Sequence, residues 1–368
     1  MTHATHAYRQ RLHMQGQRGL TLIELLVAVT LSMLIALAAA AALVVARQGF
    51  SNVDAASQLR DNGRFVQDLL QRLGAQAGFK SLQYAATAKP ASTIGVTSSP
   101  VPNIYGINNA SRADTDAWNV GTTRTSGTVG YGSDILVLRY QNSASTMGMG
   151  NAGVDAAAAA AAAASSAGTT STVKGDEGDQ TMIDCSGQST TIFPEDRDQR
   201  ILSILHVGTG SDGEPALMCT YIKPDGSTPS TPLVQGVENF QVLYGVDGIG
   251  PGNTAALSPS TADSVPDRYL RADQLTIANN TAATYANWQR VRSLRIGMVL
   301  RGPLGSAVDS SSQTLYPLGL AKSASNGTAG SAFASTNDPG TTHSPAADSR
   351  LRQVVTFTIH LRNSQGDL

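Results

Sequence analysis

The sequence predicts an α+β protein in which one long N-terminal helix packs on an antiparallel β-sheet domain with long loops. Three observations carry this. An apolar run of about 27 residues, Leu20 to Ala46, holds a single charged side chain, Glu24. Behind it Phe50, Val53, Ala56, Leu59, Val66, Leu69, Leu70 and Leu73 recur at three- and four-residue steps, the pattern of one buried helix face. The remainder is short apolar or alternating runs between stretches rich in Gly, Ser, Thr and Pro, which read as strands and loops.

Residues 1–19 form a short polar leader with Arg9, Arg11 and Arg18 and no acid, so this side stays in the cytoplasm. The run 20–46 would be roughly 40 Å long as a helix, enough to cross a bilayer with some tilt. A carboxylate inside such a span costs about 2.5–3.5 kcal/mol, so Glu24 is expected to have a partner or a task. A secretory signal is cut after its apolar core; here the small residue, in Arg18-Gly19, comes before it. Residues 47–78 are the amphipathic half of the helix, with Arg47 at the outer membrane edge and no proline before Pro90. Gly49, Gly63 and Gly74 each weaken a helix by about 1 kcal/mol relative to Ala, and are places where it could bend or melt. Gly74 and Gly78 are stop signals.

Residues 79–368 read as a β-rich domain outside the membrane. Strands are expected at 134–140, 200–207, 216–222, 233–246, 294–300 (led into by 288–292) and 355–361, the last a clean alternation of Val355, Phe357, Ile359 and Leu361. Two low-complexity insertions interrupt them. The first, at about 141–180, contains the alanine run Ala156–Ala164, a short helix capped by Asp155 or else a mobile loop. Asp176, Glu177 and Asp179 near its end lack calcium-loop spacing and read as a solvated turn. The second, at 302–347, is a functional loop or simply mobile.

Composition and motifs exclude several classes. With 14% charged residues and a formal charge of -1, about -4 without the leader arginines, bulk binding to nucleic acid is disfavoured. Arg290, Arg292 and Arg295 read as a solvated strand face. Gly208 to Gly213 matches G-x-G-x-x-G, but Glu214-Pro215 and a strand follow where a nucleotide site needs a helix, so a β-hairpin is expected. No hydrolase elbow, zinc-protease motif or Cys/His pair is present, so no catalytic residue, metal or cofactor is assigned. Cys185 and Cys219 most simply form a disulfide in an oxidising compartment, closing a loop of about 35 residues for roughly 3–4 kcal/mol. A metal pair is the rival reading, and His206, His343 and His360 show no ligand spacing to complete it.

The leader, Gly19 and Glu24 together resemble the class III leader of type IV prepilins. That resemblance implies cleavage by prepilin peptidase between Gly19 and Leu20, N-methylation of Leu20, and Glu24 as the assembly carboxylate, which pairs with a neighbour's terminal ammonium. Leu20 departs from the family's usual Phe but keeps its apolar bulk. The segments Arg47-Gln48-Gly49-Phe50, Leu59 to Phe65 and Ala77-Gly78-Phe79 are similar to the stalk of PilW-type minor pilins, as are Gly236 to Asp247 and Val265 to Leu270 in the sheet domain. Some relatives carry an Asp-rich turn between the last two; here Gly248 to Ser264 has few acids, so metal binding is not carried over. The resemblance implies a type IV pilin-like fold and a structural role in priming or joining a type IV pilus, for twitching, adhesion or DNA uptake. It implies as partners prepilin peptidase, other minor pilins, the major pilin, the inner-membrane assembly platform and the inner membrane itself. The chain would be single-pass with a cytoplasmic N-terminus before assembly, and on the pilus or cell surface after it. A GspJ-like pseudopilin of a type II secretion system shares the leader, Glu24 and stalk, and is the alternative. An anchored enzyme or binding module is the reading from another class.

Overall fold

A computed structural model describes residues 21–80, 101–142, 181–189, 200–223, 226–252, 263–307, 309–319, 321–322, 329–330 and 333–363. Gly19 and Leu20, the alanine run with Asp155, and the acids at 176–179 lie outside the described residues. The chain divides into two compact units, Met1–Ser51 and Asn52–Leu368.

Helix α1 (Leu22–Gln76) begins in the first unit, where its apolar side chains are all exposed; Leu22, Met33 and Ile35 are each 70% accessible or more. In the second unit the same helix buries Ala55, Leu59, Gly63, Val66, Leu70 and Leu73, one face at three- and four-residue spacing. The strands that follow are β1 (Ile104–Ile107), β2 (Ala110–Ser111), β3 (Thr122–Thr123), β4 (Ile135–Tyr140), β5 (Ile201–Thr209), β6 (Pro215–Tyr221), β7 (Ser230–Gln235), β8 (Val237–Val246) and β9 (Arg268–Leu270). Two short helices, α2 (Ala272–Leu275) and α3 (Thr281–Trp288), lead into β10 (Val291–Arg301). After these come β11 (Ala321–Lys322), β12 (Ala329–Gly330) and β13 (Arg352–His360).

The expected antiparallel β-sheet domain is built from two main sheets. Strands β1-β4-β5-β6-β7 make one sheet and β13-β10-β8-β9 another, with β2–β3 and β11–β12 as small separate ladders; neighbouring strands run antiparallel. The apolar run 233–246 is therefore two strands in different sheets. Gly236 separates them with φ +80°, a left-handed backbone that suits only glycine well. Its N–H donates to Pro215 O in one sheet and its C=O accepts from Arg301 N in the other, both at 2.7 Å. Strand β4 reads as wholly apolar because it is covered on both faces: Leu136 and Leu138 join the main core with α1, while Ile135 and Val137 join a smaller cluster with Leu202 and Ile204. The G-x-G-x-x-G stretch is the β5–β6 hairpin, closed from Thr209 opposite Pro215.

The glycines of α1 act differently from the sequence expectation. Gly63 and Gly74 sit inside a regular helix and face β13; a Cβ on Gly63 would lie 2.9 Å from Val355 Cγ2, and one on Gly74 2.5 Å from Ile359 Cγ2. They are notches that let helix and strand approach, rather than points of melting. A Gly74→Leu chain should accordingly lose about 1–3 kcal/mol to overpacking despite leucine's better helix propensity, read as a shifted urea midpoint.

The basic cluster also differs. Arg292 is 3% exposed and pairs with the fully buried Asp247, while Arg295 donates to Leu318 O and lies over the Phe333 ring. The solvated face expected there is covered by residues 317–318 of the 302–347 excursion: Thr356 Oγ1 donates to Pro317 O at 2.6 Å, and Gly297 lies directly beneath Pro317.

Candidate functional site

At its first turn α1 carries a reciprocal cap. Thr21 N–H and the Thr21 hydroxyl both donate to Glu24 Oε2 at 2.9 Å, and Glu24 N–H donates to Thr21 Oγ1 at 3.4 Å. This is the Thr-x-x-Glu capping box, which satisfies two of the amide donors a helix start leaves open. The signal stands in the sequence as Thr21-Leu22-Ile23-Glu24, but attention to the carboxylate as a charge had hidden its second use. Leu22, Ile23, Leu25 and Leu26 around it are all more than half exposed, so the acid sits in an apolar sleeve.

Cys185 and Cys219 are joined by a disulfide with Cα atoms 5.7 Å apart, and both are fully buried. It ties the segment 181–189 to the centre of β6. That segment is held further by Tyr140, whose hydroxyl donates to Ile183 O at 2.6 Å, and by Gln76, which accepts from Ile183 N. His206 on β5 is not drawn to the sulfurs. Its ring nitrogen meets Thr220 Oγ1 at 3.1 Å, and burial followed by the charges of Arg112 and Arg124 holds it at about 4, so it is neutral at neutral pH. Among the described residues no group of three or more His, Cys, Asp or Glu could hold a metal ion.

Two charged constellations join segments far apart in sequence. In the first, Glu238 of β8 accepts from Arg301 of β10 at 2.9 Å and from Arg352 of β13 at 2.7 Å, with His343 at 3.4 Å. Burial pushes the Glu238 carboxyl up, but the hydrogen bonds from His343, Arg352 and Arg301 outweigh it and hold it at about 2. Glu214 and Asp348 extend the array to Arg350 and back to Arg352. Each of these charges is matched by an opposite one, so the array offers no free base or nucleophile and works as a clamp. In the second, Asp134 at the head of β4 accepts from Asn108 Nδ2, Asn109 N and Val242 N, while the same Asn108 amide donates to Asp338 at 3.0 Å. All three of these groups facing the Asp134 oxygens are N–H donors, a setting for a carboxyl group and not for a cation. Sequence reading missed both constellations, because their members are separated by up to 230 residues.

Comparison with known proteins follows the same division of the chain. A family model described as "PilW: Type IV Pilus-assembly protein W" matches residues 204–363, which span β5 to β13 apart from its first residues. A second, "Prokaryotic N-terminal methylation motif", matches residues 14–40, which contain Gly19, Leu20 and Glu24. No curated protein matches. A solved type IV-like pilin from Thermus thermophilus aligns over 83% of this chain and 97% of its own at 12% identity, with a TM-score of 0.33, too low for the likeness to carry an argument.

Proposed function

This chain is a type IV pilin-like protein of the PilW family, and from that premise we propose that it is a low-copy subunit that primes or caps a type IV pilus. The observation that carries the reading is the pairing of the two matched regions with α1. An apolar helix with every large side chain exposed needs lipid or other helices around it, and the methylation motif lies on that stretch. The family and fold are those of structural pilins, and the paired charges described above fit a structural part.

In the proposed sequence of events the leader is removed at Gly19–Leu20 by prepilin peptidase and Leu20 becomes an N-methylated terminus. Glu24, one helical turn from that terminus, then exchanges its Thr21 cap for an ammonium, its own or that of the adjacent subunit. Docking against other minor pilins and the major pilin follows at the inner-membrane platform. Twitching, adhesion and DNA uptake are downstream readouts of the assembled pilus.

The test is a deletion strain in which sheared surface pili and exoprotein release are scored together. Loss of pili with normal secretion supports the proposal; intact pili with enzymes retained in the periplasm assigns the chain to a secretion pseudopilus instead. Complementation then separates the two uses of Glu24. Glu24→Gln keeps an acceptor for Thr21 N–H but carries no charge, whereas Glu24→Ala removes both. Both variants should lower sheared pili at least tenfold, because the ammonium needs the charge; the cap alone is worth only about 1 kcal/mol. A Gln variant that assembles normally would reduce Glu24 to a capping residue.

A further inference from the structure

Residues 335–348 close the second low-complexity excursion, and the turn at 339–341 packs on β8. One end is fixed by Asp338, which is 1% exposed and whose Oδ2 takes the Asn108 amide that also serves the equally buried Asp134. Asp338 Oδ1 is buried and has no hydrogen-bond partner among the described residues. At Gly340 the backbone lies against Gly132 so closely that neither residue has room for a Cβ, which fixes the position of Asp338. Past this point the segment forms one wall of a cleft of about 520 Å³, facing the turn 126–131, with Glu238 and Arg352 at its base.

Two carboxyl groups sharing one amide in a buried setting cannot both be ionised without repulsion that no neighbouring cation fully offsets. The charged groups around them are few. Asp134 faces Arg124, which spends its guanidinium on the carbonyls of Ala110, Val129 and Val207. Tyr244 approaches from β8 and is kept protonated by burial. On the Asp338 side, Arg271 and the nearby Gly340 N–H favour the charge, while Asp273 opposes it.

We propose that residues 335–348 are a proton-dependent latch, docked while Asp338 of the Asp134–Asn108–Asp338 bridge holds its proton and loosened when Asp338 ionises. The closed latch then narrows the cleft and the open one widens it. Burial is the main cause holding Asp338 up at about 6, against 3.8 for an ordinary aspartate. A group whose proton affinity is raised in the docked state favours docking at low pH and loses that contribution as pH climbs through the raised value. From these two values the opening equilibrium rises about tenfold between pH 5 and pH 8.

The experiment is amide hydrogen exchange on the full chain in detergent micelles at pH 5 and pH 8, each corrected for intrinsic exchange. Protection of residues 336–343 should fall about tenfold at the higher pH while that of β8 and β10 holds. Asp338→Asn should flatten the pH dependence, and Asp338→Ser, which also lacks the acid, guards against an effect peculiar to the amide. His343→Gln removes the imidazole beside Glu238 on the same segment and should leave the dependence in place. Constant protection in the unaltered chain overturns the latch. So does a pH dependence that survives both Asp338 variants or vanishes in His343→Gln.

Discussion

Asp247→Ala should destabilise the sheet domain by about 3–5 kcal/mol, the largest effect expected from any single substitution discussed here. Its side chain is completely buried, lies 3.5 Å from the Arg292 Nε, and accepts the backbone N–H groups of Asp263 and Ser264. Truncation takes the Asp247 carboxylate away from Arg292, itself 3% exposed, and removes the acceptor of the Asp263 and Ser264 amides. The measurement is urea unfolding of the full chain in micelles, followed by near-ultraviolet dichroism of Trp288 and Tyr244. Pairing Asp247→Ala with Arg292→Met should recover part of the loss, since the second change removes the buried charge; a loss equal to the sum of the singles would mean the two groups do not act together.

Removal of the disulfide comes next. A Cys185→Ala, Cys219→Ala chain should lose about 2–5 kcal/mol, because the link closes a loop of 34 residues and both sulfurs lie in the core. The loss should appear as a lower urea midpoint without a change in the secondary structure of β5 and β6, whose ladder does not need the sulfurs. A second sign separates this from simple cavity formation. Reductant should leave the native chain untouched, its bond being inaccessible, yet lower the midpoint of the cysteine-bearing chain once unfolding exposes it. Identical midpoints with and without reductant would place the loss in packing alone.

How far the sequence could be read depended on whether a feature was local. The long helix was legible because its apolar residues form an unbroken run and the amphipathic half repeats at helical spacing from Leu59 to Leu73, although Phe50 and Val53, expected on the same buried face, are 77% and 71% exposed. Strands β4, β5, β10 and β13 were legible for the matching reason, a burial pattern written in consecutive residues. The break at Gly236 was not. A glycine between two apolar runs looks like a weak point in one strand until the second sheet is there to receive β8. Arg292 misled because its partner Asp247 lies just past the end of β8, about 45 residues earlier, and a cluster of arginines in sequence says nothing about which of them turns inward. Gly63 and Gly74 misled in the opposite way: helix propensity is a local quantity, while the reason for glycine there is a strand more than two hundred residues later. The Thr21–Glu24 box was local and readable, and the Asp134–Asp338 bridge was neither.

The covering of α1 by β13 also fixes an order of events during synthesis. The helix leaves the ribosome first, yet its C-terminal carbonyls are taken by Asn363, whose Nδ2 donates to Ala75 O across 288 residues. Until β13 has been made, the amphipathic face from Leu59 to Leu73 is a bare apolar stripe, and loop closure over that span makes its covering slow. A chain stalled before β13 would therefore leave that stripe open to proteolysis, so the last strand decides whether the first helix is protected.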